Sequence, residues 1–228
     1  EPTPGWLNFH RVWDHGIAQD DMVRKLALGG FGAGKTTAQV HDMVMAIVAN
    51  PGCSTLFTAP TSDQATYVLL PKFLELMDLY ASAGYPLLKR YQPTRGVGEL
   101  VCKGAVFFRT HGKLNSLVGR EFVAACVDEI DTVRNARRVW QTVASRVRQK
   151  GNGRVMIAAT TPDMGLDGVA GVFHAARQID EPKQKIRWMW TRQTGLDNKH
   201  LPVDYYEGMR ASMSKRSWAV LVEGRILK

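Results

Sequence analysis

Short apolar runs alternate along this chain with longer stretches in which apolar residues recur at helical spacing. That pattern predicts strands and helices in turn. The run Arg24 to Leu28 reads as a short buried strand, and "KTTAQVHDMVMAIVAN" after it as a helix stopped by Pro51-Gly52. "STLFTAP" predicts a strand ending at Pro60, and "TSDQATYVLLPKFLELMDLYASAG" a helix that Pro71 should kink or split. In "LLKRYQPTRGVGELVCKGAVFFRTHGK", Pro and Gly punctuate short β-like runs, which predicts hairpins. "EFVAACVDEID" is a buried strand running into acids, and "RNARRVWQTVASRVRQK" a basic helix. "GRVMIAATTP" and "KIRWMWTRQ" follow as strands, then a helix over 203–214 and the closing "SWAVLVEGRILK". Gly, Asp and Pro concentrate between Pro162 and Lys185, which predicts the loosest segment. Strand and helix in alternation imply an α/β fold, a mainly parallel sheet with helices on both faces.

Composition narrows this picture. At 228 residues, 45% of them apolar, the chain suits a single domain, 1–228, with a proper core. Thirty Lys and Arg against 21 acidic residues leave a net charge of +9, which favours a polyanionic partner, nucleic acid above all. Cys53, Cys102 and Cys126 are odd in number and far apart in sequence, so no disulfide framework is expected and a reducing compartment is. The histidines lack metal-ligand spacing; His10 and His15 read as structural or surface residues. No apolar run approaches the roughly 20 residues that cross a bilayer, and a soluble protein is expected. Lacking an initiator Met, the chain reads as a piece of a longer protein.

Candidate chemistry begins at "LALGGFGAGKTT". Gly29, Gly34, Lys35 and Thr36 fit the spacing G-x-x-x-x-G-K-[ST] between a strand and a helix. Glycines let the backbone fold tightly round phosphates, so that N–H groups and the positive end of the next helix point inward. Gly29, Gly30, Gly32, Ala33, Gly34, Lys35, Thr36 and Thr37 are therefore expected to bind ATP. Lys35 would neutralise the β- and γ-phosphates, and the Thr36 hydroxyl would ligate Mg2+.

The other half of such a site is "VAACVDEID". An apolar strand puts Asp128 and Glu129 at its carboxyl end, where open α/β sheets bind ligands. Asp128 is expected to hold the magnesium shell, and Glu129 to orient or deprotonate the attacking water. Asp131 reads as a cap for the helix that follows.

Taken in order, "GGFGAGKTT", "TAPTSDQA", "SLVGREFVAACVDEID", "AATTP" and "LVEGRIL" span almost the whole chain, and the set resembles the ATPase domain of a tailed-phage terminase large subunit, the motor that packs DNA into capsids. The resemblance implies a RecA/ASCE-like P-loop NTPase, a three-layer sandwich about a mainly parallel central sheet. It implies double-stranded DNA, the procapsid portal protein and a small terminase subunit as partners, with a homo-oligomeric ring when assembled and a monomer in isolation. The place of work would be the cytoplasm of the infected host, at the portal. It also matches Thr160 and Thr161 to the motif that senses the γ-phosphate; hydroxyls at the end of a neighbouring strand could bond the attacking water or Glu129. Without the resemblance, Thr-Thr-Pro reads equally as a chain turn. Gln19, just before the first strand, is the candidate for reading the adenine edge, against an ordinary surface role. A nuclease domain, usual in the family, has no counterpart in this sequence.

This chain departs from the family at Phe31, where many terminases carry a basic residue inside the phosphate loop. The transition-state cation must then come from elsewhere. Arg120 in "LVGREF", acting on a neighbouring subunit, is the candidate, with a plain surface arginine as the alternative. Arg134, Arg137, Arg138, Arg146, Arg148 and Lys150, with Lys89, Arg90 and Arg95 on the hairpins, are candidate contacts for DNA backbone; a solvated helix face over a stripe of Val139, Trp140, Val143 and Val147 is the other reading. A DExx-type helicase or translocase is the competing function. It shares the acids and the "TAPT" segment but works with a second motor domain.

Overall fold

The computed structural model describes residues 4–11, 21–177, 186–202 and 204–227. Eight strands form one sheet in the order β3-β4-β5-β2-β6-β7-β1-β8. They are β1 (Met22–Gly29), β2 (Ser54–Ala59), β3 (Leu88–Gln92), β4 (Val97–Leu100), β5 (Ala105–Thr110), β6 (Ala124–Val127), β7 (Arg154–Thr160) and β8 (Ile186–Gln193). From β5 to β8 every neighbouring pair is parallel; only β3 and β4, at one edge, run antiparallel to their neighbours. The inner strands are buried on both sides, which is why β6 and β7 read as unbroken apolar runs rather than alternating ones.

Helices cover both faces: α1 (Pro4–His10), α2 (Lys35–Ala49), α3 (Ser62–Gln64), α4 (Leu70–Ser82), α5 (Ala136–Ala144), α6 (Val169–Arg177), α7 (Tyr205–Ser212) and α8 (Lys215–Leu221). One core lies between the sheet and α1, α2 and α4, with Phe9, Met43, Phe57 and Phe73 fully buried. The other lies under α5 and α6, with Phe122, Trp140 and Phe173. The result is the expected three-layer α/β sandwich. Among the described residues no helix is long and apolar enough to cross a membrane.

Four expectations change. Pro71 does not split its helix: a π-helical stretch, Ala65–Leu69, joins α3 to α4 and puts Pro71 in the first turn of α4, where its missing N–H costs little. The basic helix is shorter than its charge pattern. It ends at Ala144 because the next residues turn to bond Phe122, whose N–H donates to Arg146 O and whose O accepts from the Gln149 N–H. Val147 is thus buried from a loop, and Arg146, Arg148 and Lys150 lie beyond the helix. The stretch expected to be loosest holds α6, whose Val169, Ala170 and Phe173 are core residues; 178–185 fall outside the described residues. Finally, Asp131 caps α6 rather than α5: its Oδ1 accepts the Val169 N–H at 2.9 Å.

Candidate active site

The strand β7, which ends at Thr160 just before Thr161, lies between the phosphate-loop strand β1 and the acidic strand β6. Parallel pairing brings the carboxyl ends of all three to one edge, at the place where ligands bind in open α/β sheets. The loop leaves β1 at Gly30 and enters α2 at Lys35. Gly32 (φ 73°) and Gly34 (φ 81°) take left-handed backbone that other residues rarely adopt.

The loop is held from outside by its carbonyls. Gly30 O accepts from Lys35 Nζ (3.2 Å), Phe31 O from Tyr206 OH (2.9 Å), Gly32 O from Asn198 Nδ2 (2.5 Å), and Ala33 O from Trp6 Nε1 (2.7 Å). The Phe31 N–H donates to Leu221 O at 2.5 Å. With its carbonyls engaged in this way, the loop is set to offer N–H groups to an anion. "LVEGRIL" packs directly beneath: a Cβ on Gly30 would sit 2.0 Å from Val222 O, and one on Gly224 (φ 64°) 2.9 Å from the Gly29 Cα. Trp6, Asn198 and Tyr206 carried no signal as site residues, since each acts through one backbone bond from a remote segment.

Lys35, only 6% exposed, is the hub. Its Nζ donates to Thr161 Oγ1 at 3.2 Å and lies 3.4 Å from Glu129 Oε1. Thr36 Oγ1 donates to Asp128 Oδ2 at 3.1 Å. Asp128 is 3% exposed, and burial together with the Glu129 charge pushes its carboxyl up to about 7, against the opposing pull of Lys35 and Thr36. Gln39 is fully buried beside it, and its side-chain amide also favours the charged carboxylate. Two oxygen donors side by side, one a carboxylate costly to bury, suit a hard divalent cation. Among the described residues no three His, Cys, Asp or Glu converge, so such an ion would also need phosphate oxygens.

The two threonines divide their work. Thr161 faces Lys35, whereas Thr160 Oγ1 accepts the Asp131 N–H at 3.2 Å and donates to Thr161 O at 3.0 Å. Burial, with the charges of Asp163 and Glu129 nearby, pushes the Asp131 carboxyl up to about 6 against the opposing pull of the Val169 N–H bond. Thr37 is exposed on the first turn of α2. Arg120 lies apart from these residues: its guanidinium stacks on the Phe107 ring at 4.7 Å, on β5. With β2, β6 and β7 between β5 and β1, strand spacing alone separates them by about 19 Å. Gln19 and His15 fall outside the described residues. His10 bonds Asp42 Oδ1 at 2.6 Å, and Asp42 also pairs with the buried Lys25, tying α1 to β1 and α2.

Fold and site together define a P-loop ATPase with an inserted strand between its phosphate-loop and acidic strands. Residues 26–228 match the family model described as terminase large subunit, T4likevirus-type, N-terminal. The chain belongs to that family. Among solved structures it is similar to the large terminase ATPase domain of Thermus phage P74-26 (17% identity, TM-score 0.66, 100% of this chain and 94% of that one). It is also similar to the large terminase of a thermophilic bacteriophage in complex with ADP (13% identity, TM-score 0.72, 100% and 54%) and to that of HK97 bacteriophage (13%, 0.67, 97% and 50%). These likenesses are of fold. The chain spans most of the isolated ATPase domain and about half of the two whole large terminases. No curated protein matches it by sequence.

Proposed function

We propose that this domain binds MgATP at the phosphate loop and couples its hydrolysis to moving double-stranded DNA into a procapsid. The observation that carries the reading is the convergence on Lys35, whose Nζ reaches the loop, Thr161 and Glu129 at once. In this reading the loop N–H groups and Lys35 bind the β- and γ-phosphates, and Thr161 senses the γ-phosphate through the same lysine. Glu129 orients the attacking water and takes its proton. Thr36 and Asp128 would hold Mg2+, which when bound supplies positive charge against the phosphate oxygens. A solved terminase complex with ATP-gamma-S supports the choice of nucleotide. Within the chain Lys35 is paired with Glu129, and in this reading a second cation is supplied by Arg120 of a neighbour in a ring. The portal protein and a small subunit are the partners this role requires, in the cytoplasm of an infected bacterium. Exposed Arg134, Arg138, Lys89 and Arg95 suit backbone contacts with any DNA sequence; Arg90 and Arg148 are paired with Glu99 and Glu121.

The test is ATP turnover with and without empty procapsids and duplex DNA. Stimulation without strand separation is expected. Stimulation by single strands with unwinding would point to a helicase instead.

A further inference from the structure

Glu129 sits on a turn held in an unfavourable conformation by contacts that the nucleotide does not supply. Its backbone, at φ 44° and ψ 46°, is left-handed, a conformation that is unfavourable for a non-glycine residue. Such a residue persists only if its neighbours over-determine it. Before it, the Asp128 N–H donates to Thr58 O at 2.8 Å. After it, Glu129 O accepts from the Thr132 hydroxyl (2.7 Å) and the Thr132 N–H (3.1 Å), while the Asp131 N–H is fixed on Thr160.

The Asp131 side chain then leaves the turn altogether. It reaches the first residue of α6, where Oδ1 accepts the Val169 N–H at 2.9 Å. Space is kept for it: a Cβ on Gly168 would lie 2.5 Å from both carboxylate oxygens. The residue is 4% exposed, and Oδ2 is buried without a hydrogen bond. A buried carboxylate with a single N–H partner is a poor stabilising device, since desolvation outweighs what one bond returns. An asparagine or serine would cap α6 at less cost. What distinguishes this position is that it joins the turn aiming Glu129 to the start of α6, which packs in the same core as Ile130 of that turn.

We infer that Asp131 is a positioning residue for ATP hydrolysis: anchored on the first turn of α6, it holds the strained turn that aims the Glu129 carboxylate at the Lys35 side of the site. This rests on Glu129 being the water-activating residue. In this role Asp131 acts through the turn and not on the nucleotide. Its loss would let the turn relax toward ordinary backbone, and misplacement of a catalytic group by about 1 Å can cost as much as 100-fold in rate.

The experiment compares Asp131→Ala, Asp131→Asn, Thr132→Val, Glu129→Gln and the double variant Asp131→Ala/Glu129→Gln in this 228-residue chain. Three quantities are measured: kcat for ATP, Kd for a fluorescent ATP analogue, and Tm. Asp131→Ala should lower kcat about tenfold or more with Kd within about twofold of the parent. Asp131→Asn, whose amide oxygen still accepts the Val169 N–H, should keep most of the rate. Thr132→Val, at an exposed position that threatens no core, should also lower kcat at constant Kd. The double variant should be no slower than Glu129→Gln alone, because the two residues act as one unit. A lower Tm with parental kcat in Asp131→Ala would make Asp131 a helix cap only, and multiplying losses in the double variant would mean that it acts by another route; either overturns the inference. Should Asp131→Ala fail to fold, Thr132→Val and Asp131→Asn decide it, and parental kcat in Thr132→Val overturns it. A parental rate in Glu129→Gln would overturn the reading of Glu129 first, and this inference with it.

Discussion

His111 shows how much single residues at this edge of the sheet have given up to burial. It follows β5, is 7% exposed, and neither ring nitrogen makes a hydrogen bond of ordinary geometry. Burial pushes its pKa down to about 4, with the nearby Thr58 backbone opposing the shift. The folded protein therefore binds fewer protons here than the unfolded chain between about pH 6.5 and pH 4. The stability that comes from keeping the ring neutral is fully present above the unfolded pKa and is lost as the pH falls through that window, by on the order of 3 kcal/mol at its lower end. The raised carboxyls of Asp131 and Asp128 act in the opposite sense, so the parent's own profile is a sum. His111→Phe removes one contribution only. Urea midpoints at pH 7 and pH 4.5 should show a smaller loss on acidification in the variant than in the parent. Equal losses would mean that His111 is not held neutral. At this scale the sequence was legible where chemistry and spacing coincide: Lys35, Thr36, Asp128 and Glu129 are named by their motifs and meet in space. It was silent on which of two adjacent threonines faces Lys35, because that depends on a strand's side-chain alternation at its last residue.

Elements tell the same story through the phosphate loop. Three remote segments, α1, the turn after β8, and α7, each lend one side chain to a loop carbonyl. The loop's shape is therefore a property of packing, although its motif is local. Removing one such bond should loosen the cradle more than the fold. Asn198→Ala is expected to weaken binding of an ATP analogue about fivefold, corresponding to about 1 kcal/mol for one hydrogen bond, with little change in Tm. Unchanged affinity would show that the loop holds its shape without Asn198. The elements misread from sequence share one cause. Gly165, Gly168 and Gly171 suggested slack between Pro162 and Lys185, but all three are close contacts: a Cβ on Gly165 would lie 2.8 Å from Leu227 O, one on Gly168 would strike Asp131, and one on Gly171 would lie 1.8 Å from Leu166 O. The basic helix was drawn too long because charge continues past Ala144 while the backbone turns to bond Phe122. Composition records neither close packing nor a long-range backbone bond.

On the scale of the whole molecule, the alternation of strand and helix was enough to give the α/β class, and the order of its motifs was enough to give the family. Among the described residues, the cation paired with Glu129 is Lys35, and in the proposed reading a second one comes from a neighbour. Phe31 occupies the phosphate loop where a basic residue would help, and Arg120 lies stacked on Phe107 across the sheet. In the proposed reading, completion of the site by a neighbour would make hydrolysis depend on assembly, as a packaging motor requires. Trans arginines in P-loop enzymes contribute roughly 10³ to 10⁵ in rate, so the isolated chain should turn over slowly. The most direct measurement mixes Arg120→Ala with Glu129→Gln under assembling conditions, each alone binding ATP but hydrolysing it poorly. In mixed assemblies some interfaces pair an intact Glu129 with an intact Arg120, so ATPase activity should return in part, highest near equal amounts of the two. No recovery from proteins that demonstrably co-assemble, or a parental rate in either variant alone, would contradict a hydrolytic site built on Glu129 and completed by Arg120 of a neighbour.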